Sequence, residues 1–257
     1  MQAVDWSAFS PAEVVAFADT AAQVARSLAR AVPAPRGAPL FGLDMAIADP
    51  ELLDRFSRHG IFRKYQRAIA LGCGLGGVQR WWAVHFGCRV LSIDPHAGVI
   101  GAAERLSRPT GLAERTTFQI APLHNVPERA ERFTHAWSVE GLAAHPDRTS
   151  VLREALRVLR PAGLLTVVLP GAGSDDSQVA GWTDAVAAVG FIAVAVKPLP
   201  PPELPYAVVF AEHVLHTELS KRFSGERRTR LLDLAAQLAA ARSNRAPRVM
   251  LFAERPS

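Results

Sequence analysis

The feature that most restricts the fold of this chain is a series of short apolar runs that alternate with segments of helical periodicity. The apolar runs lack a polar residue at every second position, which indicates strands that are buried on both faces. They occupy residues 68–71, 89–93, 116–120, 134–139, 164–169 and 191–196, and the helical segments occupy 77–86, 97–107, 148–159 and 176–188. A βαβ series of this kind predicts an α/β fold with a doubly wound, Rossmann-like parallel sheet.

Helical sequence precedes this series. Ser10, Pro11 and Glu13 have the spacing of a capping box, with proline at the first helical position. The alanine-rich helix that they open is expected to extend to about residue 31, where prolines interrupt it. A short helix is expected at 50–59. These segments are interpreted as an N-terminal helical cap over residues 1–60.

The C-terminal part differs from the βαβ series. After a proline-rich connection, helices are expected at about 207–218 and 226–242, and a strand at 248–253. A strand that is reached through a long helical excursion can return antiparallel and carry a lid. The predicted organisation after the cap is therefore a Rossmann-like core (61–200), a helical lid inserted before the last strand (201–246) and a final core strand (247–257).

Composition excludes several classes of protein. Of the 257 residues, 49% are hydrophobic and 21% are charged, which is typical of a folded globular chain. No apolar run approaches the roughly 20 residues of a spanning helix, so no integral membrane association is expected. The N-terminal sequence lacks the pattern of a secretory signal, and the two cysteines have no metal-ligand spacing, so we expect a cytoplasmic location and no metal site.

The formal net charge of +5 is spread along the chain, apart from one basic cluster. A nucleic-acid-binding protein usually has a dense basic stripe with interleaved aromatic residues, so no nucleic-acid partner is expected. The cluster is interpreted either as the solvated start of a helix or as a mouth that attracts an anionic substrate or touches a membrane surface. It consists of Lys221, Arg222, Arg227, Arg228 and Arg230.

A glycine-rich turn links the first predicted strand to the helix that follows it. The turn contains Gly72, Gly74, Gly76 and Gly77. Glycine permits a tight turn and lets a ligand approach bare backbone, while the helix N-terminus offers unpaired N–H groups to an anion or carboxylate. The same glycines satisfy the spacing of a dinucleotide-binding motif, which is weak evidence on its own.

Asp94 ends the second predicted strand, about 20 residues after the turn begins. A carboxylate at this strand tip can accept hydrogen bonds from both hydroxyls of a ribose. The alternative is that Asp94 caps the next helix. The spacing from the glycine turn favours the ribose-binding role.

Residues 60–170 resemble the class I S-adenosylmethionine-dependent methyltransferases, in particular the small-molecule branch with sterol, tocopherol and quinone methyltransferases. The matching segments follow the family's order: 71–77 (LGCGLGG), 91–94 (LSID), 118–127, 137–147 (WSVEGLAAHPD), 156–165 (LRVLRPAGLL) and the final strand at 248–255. The resemblance implies a seven-stranded, mostly parallel sheet with an antiparallel last strand. It also implies S-adenosylmethionine as cofactor, held by Gly72, Cys73, Gly74, Gly76, Gly77, Asp94, Pro95, Pro122, Leu123 and Ser138.

Four positions depart from the family's pattern. Ala70 and Pro122 stand where acidic residues are usual, and Thr134 stands where an aspartate is usual. Ala144 stands where the family has a histidine, and His145 follows one position later. Losing two hydrogen bonds to charged groups would weaken cofactor binding by about 3–6 kcal/mol if nothing replaced them. These departures keep open a methyltransferase-like protein without methyl transfer.

The resemblance also suggests where the chemistry takes place. Glu140 follows the fourth strand at a point that faces the reacting methyl group, and His145 is a candidate base displaced by one position. Both have ordinary alternatives as surface or loop residues. The acceptor pocket is expected under the N-terminal helices and the lid, although the same side chains would also serve as packing. Its candidate walls are Trp6, Phe9, Phe41, Met45, Trp137 and Phe210.

The favoured function is an S-adenosylmethionine-dependent methyltransferase that acts on a small, hydrophobic molecule by in-line displacement. The first alternative is a related protein that has been repurposed for another reaction or for binding. A nicotinamide-dependent, NAD(P)-binding enzyme is a minor alternative that rests on the glycine spacing. The expected partner is the small-molecule acceptor, and the sequence leaves a homodimer open.

Overall fold

The fold is built on one seven-stranded sheet. The computed structural model describes residues 4–31, 66–139, 141–143, 145–173, 175–200, 206–243 and 246–257. The strands are β1 (Arg67–Leu71), β2 (Arg89–Asp94), β3 (Thr116–Ile120), β4 (Phe133–Val139), β5 (Leu159–Pro170), β6 (Ile192–Leu199) and β7 (Arg248–Glu254). Their order is β3-β2-β1-β4-β5-β7-β6. Only β7 runs antiparallel to its neighbours, so the predicted fold class is confirmed.

Helices cover both faces of the sheet. Among the described residues, the α-helices are α1 (Pro11–Ala31), α2 (Gly77–Phe86), α3 (Ala97–Ser107), α4 (Arg148–Val158), α5 (Ser177–Val189), α6 (Tyr206–Arg222) and α7 (Gly225–Ser243). Alternate residues of β1 face opposite ways: Ile69 and Leu71 pack with α4 and α5, whereas Ala68 and Ala70 pack with α2 and α3. This arrangement explains why the strands read as continuous apolar runs.

Two strands extend at least three residues beyond the limits predicted from sequence. β5 begins at Leu159, immediately after α4, because an irregular stretch with Ala162 at φ 58° still pairs with the start of β4. β6 continues to Leu199 and includes Pro198. β6 lies at the edge of the sheet, where a residue without an N–H donor is tolerated.

A helical cap of α1, α6 and α7 lies over α3. These helices share an apolar cluster that includes Phe17, Leu215 and Leu234. The approach of α1 to α3 requires glycine, because a Cβ atom on Gly98 would lie 2.7 Å from the Cα atom of Pro11. The expected helix at 50–59 lies outside the described residues, so the cap boundary at residue 60 stays a prediction.

The capping box at the start of α1 is confirmed and has an additional partner. The Ser10 N–H donates to the Glu13 carboxylate at 2.8 Å, and the Glu13 N–H donates to Ser10 Oγ at 3.3 Å. Arg230 of α7 pairs with the same carboxylate and also donates to the Ala8 carbonyl. One member of the basic cluster therefore joins the lid to the N-terminal helix instead of projecting into solvent.

Glu13→Gln is expected to lower the melting temperature by about 1–4 °C at neutral pH, because the ion pair is lost. The Arg230 partner lowers the pKa of Glu13 to about 2. The contribution of Glu13 is therefore complete above its usual pKa near 4.5 and is lost as the pH falls towards 2. Thermal melts of both proteins between pH 2.5 and 7 test this prediction, and a constant difference across that range would contradict it.

None of the helices within the described residues has the length and apolar character needed to cross a bilayer. Cys73 and Cys88 are both buried and free. Burial raises the pKa of both thiols, to about 11 for Cys88 and well above the usual range for Cys73. Cys73 is consequently a small buried filler of the glycine turn and not a nucleophile.

Candidate functional site

The glycine turn after β1 has a backbone that other residues rarely adopt. Gly72, Gly74 and Gly76 have φ values of 71°, 53° and 81°, in the left-handed region that favours glycine. The N–H groups of Gly72 and Cys73 donate to the Ile93 carbonyl at 2.9 and 3.2 Å. These bonds fix the turn to the end of β2.

A second loop comes into contact with this turn. A Cβ atom on Gly141, in the loop after β4, would lie 2.5 Å from the carbonyl oxygen of Gly72 and 3.0 Å from its Cα atom. A Cβ atom on Gly74, by contrast, would meet no described atom within 4 Å. The turn is therefore closed against the β4 loop at Gly72 and open at Gly74, where a ligand can approach the backbone.

Asp94 lies against the open part of the turn. Its side chain is only 6% exposed. One carboxylate oxygen accepts from the Gly74 N–H at 3.3 Å, and the other accepts from the His96 N–H and contacts His96 Nδ1, both at 3.0 Å. The residue that caps α3 is His96, without a side-chain hydrogen bond, so the alternative role of Asp94 as the helix cap is wrong.

The hydrogen bond to Asp94 raises the pKa of His96 above its usual value of 6.5, against a smaller opposing effect of burial. The imidazole is therefore biased towards its charged, donating form. A ligand hydroxyl that donates to the same carboxylate oxygen has to share that oxygen with the His96 ring or displace the ring.

Arg80 supports the turn from below, and sequence reasoning missed this residue. Its guanidinium donates to the Leu75 carbonyl at 2.7 Å, to the Ala103 carbonyl at 3.3 Å and to Ser107 Oγ at 3.0 Å. Burial lowers the pKa of Arg80 to about 9. This buried cation fastens the turn to α3. The sequence signal is a single arginine in a helix whose other inward positions are uncharged.

The far side of the crevice is formed by the segments after β3 and β4. Leu123 is buried, whereas Pro122 and His124 are exposed. The hydroxyl of Ser138 accepts from the Leu142 N–H at 3.1 Å and so holds the loop that carries Gly141. The chain therefore has a core-packed leucine at 123 and no acidic group at 122.

Of the two residues predicted to act in catalysis, the structure describes only His145. Glu140 lies outside the described residues, as does Ala144. His145 lies 6.3 Å from His124, ring centre to ring centre, with the rings edge to face. Its Nδ1 atom lies 3.2 Å from the Asp147 nitrogen and 3.1 Å from the Asp147 carbonyl oxygen. The pairing of these two histidines was not foreseen.

Of the predicted pocket walls, those that the structure describes are not gathered at one site. Phe41 and Met45 lie outside the described residues. Phe9 is buried in the cap, where Arg230 lies over its ring at 5.6 Å, and Trp6 packs against the same cluster. The side chains of Phe9 and Trp6 therefore pack within the cap, which was the alternative left open from sequence.

Trp137 requires a correction, whereas Phe210 is accessible. Trp137 is 1% exposed and lies edge to face against Trp82 at 3.8 Å, because its position on β4 points to the α2 side of the sheet. Trp137 is thus a core residue and not a pocket wall. Phe210, near the start of α6, is 46% exposed.

Comparison with known proteins agrees with this geometry. Residues 69–167, from β1 into β5, match the family model described as a methyltransferase domain. Over these residues the chain matches a methyltransferase domain, which agrees with its resemblance to the class I S-adenosylmethionine-dependent methyltransferases. The match includes the glycine turn, Asp94, Ser138 and the β4 loop, and so covers every part of the site described above.

Named relatives of this methyltransferase domain are methyltransferases. The methyltransferase GfsG of Streptomyces halstedii is 31% identical over 47% of this chain and 41% of its own length. Tocopherol O-methyltransferase of Arabidopsis thaliana is 29% identical over 41% of this chain and 30% of its own length. The chain thus spans less than half the length of these relatives.

A similar fold occurs in a protein whose name is not that of a methyltransferase. The solved structure of the [4+2]-cyclase SpnF superposes with a TM-score of 0.59, at 20% sequence identity, over 80% of this chain and 81% of that chain. At this identity the likeness concerns the fold alone.

The departures from the family pattern can be located in this methyltransferase domain. Ala70 is buried among the apolar residues that face α2 and α3. Thr134 is buried, and its hydroxyl donates to the Arg67 carbonyl at 2.9 Å. Pro122 is exposed, and its carbonyl accepts from the Asn125 N–H at 3.1 Å. Threonine at 134 therefore has a structural role of its own, and alanine at 70 suits its apolar surroundings.

Proposed function

We propose that this protein is an S-adenosylmethionine-dependent methyltransferase that acts on a small, hydrophobic acceptor. The observation that carries the proposal is the buried Asp94 carboxylate beside the open backbone at Gly74. A ribose that lies across the turn can donate its two hydroxyls to Asp94. Leu123 and Pro95 offer apolar contacts for the adenine, and the start of α2 favours the carboxylate of the methionine part.

The departures at 70 and 122 weaken this site without removing its main features. S-adenosylmethionine supplies a methyl group on a positively charged sulfur, and its transfer is an in-line displacement that leaves a neutral thioether. The protein's task is then mainly to align two molecules and exclude water. Asp94, the turn and the Gly141 loop provide that alignment for the cofactor.

The position of the lid supports a hydrophobic acceptor. β6 runs in the same direction as β5, because both are antiparallel to β7, so Leu199 lies at the carboxyl edge of the sheet. The glycine turn and Asp94 lie at that edge as well. α6 begins seven residues later and exposes Val209 and Phe210, at 45% and 46%. Apolar side chains near the mouth of a crevice favour an apolar ligand.

A proton acceptor is needed only where the substrate must lose a proton. We assign this role to His145, with His124 beside it, and to Glu140 of the same loop. His145 and His124 lie on the segments that follow β4 and β3, next to the crevice. Each contributes one imidazole at the carboxyl edge of the sheet.

A methyltransferase-like protein without methyl transfer remains the second candidate. It is favoured by the absence of an acidic group at Pro122 and by the occurrence of this fold in a protein named a cyclase. The nicotinamide alternative rests on the glycine spacing alone, whereas the methyltransferase match extends over residues 69–167.

A transfer assay separates the two candidates. The protein is incubated with methyl-labelled S-adenosylmethionine and a panel of phenols, sterols and polyketide-type alcohols. The proposal predicts labelled product that disappears with Asp94→Asn. Saturable cofactor binding without label on any acceptor, in the panel or in a metabolite extract, would contradict methyl transfer and favour the second candidate.

Cofactor affinity is expected to increase severalfold from pH 6 to pH 8. The pKa of His96 is raised in the free protein by its bond to Asp94. A ribose that displaces the ring returns this pKa towards 6.5, so binding releases a proton and is favoured at higher pH. His96→Gln removes the pH dependence, whereas His216→Gln, an exposed histidine of α6, retains it. Equal slopes in calorimetry for His96→Gln and the unaltered protein would contradict this account.

The remaining assignments are a cytoplasmic location, which two free cysteines support, and a four-part organisation. The four parts are an N-terminal cap (1–60), the core (61–200), the lid (201–246) and the final core strand (247–257), and the packing of α1 on α6 and α7 supports a cap that lies against the lid. Limited proteolysis that releases 206–243 while α1 keeps its protection would contradict this contact between cap and lid.

A further inference from the structure

A second cleft lies at the opposite edge of the sheet from the glycine turn. It has a volume of about 210 Å³ and is bounded by the first residues of β1, β2 and β4 together with the start of β3. β1 has five residues. At about 3.3 Å per residue the two edges are roughly 15 Å apart, so this cleft is separate from the cofactor crevice.

The cleft carries an excess of positive charge. Its charged lining residues are Arg67, Arg89, Arg115, Arg132, Glu114 and Glu128. Arg132 is paired with Glu128 at 3.1 Å, and Arg115 donates to the Ala83 carbonyl at 3.4 Å. Four arginines and two glutamates leave a surplus of two positive charges.

Arg67 and Arg89 form the centre of this excess. They are register partners in adjacent parallel strands, so their side chains leave the same face of the sheet about 4.8 Å apart. Within the described part of the chain, no ion pair or hydrogen bond engages either guanidinium. Two neighbouring like charges destabilise a sheet, and a bound anion would remove that cost.

The chemistry of the lining indicates which anion fits. Arginine presents a planar fork of donors that matches the oxygens of a phosphate group. The buried Phe133 ring borders the cleft, and bonds made beside it are less weakened by water. The volume of about 210 Å³ is sufficient for one or two phosphoryl groups.

We propose that this cleft binds a small phosphate-bearing anion through Arg67 and Arg89. The site is independent of the methyl-transfer function, because it involves neither the glycine turn nor Asp94. Two sources share this chemistry, a free inorganic phosphate or pyrophosphate and a small phosphate monoester, and both would place their oxygens between the two guanidinium groups.

Calorimetry at constant ionic strength tests the proposal with three probes: inorganic phosphate, inorganic pyrophosphate and glycerol 3-phosphate. At least one probe is expected to bind saturably, and Arg67→Gln/Arg89→Gln is expected to weaken it at least tenfold. The control Arg26→Gln/Arg153→Gln removes the same charge from exposed positions on α1 and α4 and is expected to change the affinity less than twofold.

The pattern of binding distinguishes the sources. Binding of phosphate or pyrophosphate alone identifies a free-anion site, and binding of glycerol 3-phosphate identifies a monoester site. Equal weakening in both double variants would show a general charge effect and overturn the proposal. Absence of binding by all three probes would overturn it as well, as would binding only to a long polyanion such as single-stranded DNA. Unchanged cofactor affinity in Arg67→Gln/Arg89→Gln confirms that the variant is folded.

Discussion

Asp94→Asn is expected to reduce the affinity for S-adenosylmethionine and S-adenosylhomocysteine ten- to hundredfold. The amide has nearly the same shape as the carboxylate but has no charge and only one acceptor oxygen. The ribose then loses at least one hydrogen bond to a charged group, which is worth about 1.5–3 kcal/mol. The remaining amide oxygen can still accept from the Gly74 N–H, so the turn is expected to keep its conformation.

Calorimetric titration with S-adenosylhomocysteine measures this effect. The matched control is Asp184→Asn, on the exposed side of α5, which is expected to leave the affinity unchanged. Asp94→Asn is also expected to lower the pKa of His96, since the hydrogen bond to the Asp94 carboxylate is the main cause of the raised pKa. Full affinity in Asp94→Asn, with a folded protein, would show that the carboxylate does not hold the ribose.

Gly141→Ala is expected to lower cofactor affinity at least tenfold and any methyl-transfer rate about hundredfold. The added Cβ atom would lie 2.5 Å from the Gly72 carbonyl oxygen, which is backbone and cannot rotate away. The two loops must therefore separate, and a shift of about 1 Å at a reacting centre can cost two orders of magnitude in rate. Calorimetry and the transfer assay measure the two effects.

Two other glycines provide the comparison. Gly173→Ala adds a methyl group into open space, at a position without positive φ, and is expected to be neutral. Gly74→Ala also meets no described atom, but its φ of 53° costs about 1–2 kcal/mol and its methyl group faces the ligand. Gly74→Ala should therefore lose affinity as well as stability. Equal behaviour of Gly141→Ala and Gly173→Ala would refute the closed contact between the loops.

Local patterns were sufficient to predict the sheet and the two sides of the crevice. The apolar runs fixed the strands because a strand buried on both faces contains few polar residues. The glycine turn and the position of Asp94 beside it could be predicted because both depend on backbone freedom and strand position, which are encoded over a few residues. The capping box at Ser10 and Glu13 is of the same kind.

Contacts between distant segments could not be predicted in this way. The bond of Arg230 to Glu13 joins residues 217 positions apart, and the approach of Gly141 to Gly72 depends on how two loops meet. The burial of Arg80 was not predicted, because a buried arginine is uncommon and its partners lie in other segments of the chain. Trp137 was wrongly predicted to line the pocket. Its place in a strand follows from the local sequence, but the face of the sheet to which its side chain points depends on the register of the strand.

The most direct test of the central claim is a crystal structure of the protein with S-adenosylhomocysteine. The account predicts the ribose hydroxyls at about 2.5–3.0 Å from the Asp94 carboxylate oxygens, with the nucleoside across the backbone at Gly74 and the His96 ring moved from its present partner. A nucleoside bound elsewhere would contradict the account. So would an empty crevice, at saturating ligand, in which Asp94 still bonds Gly74 and His96.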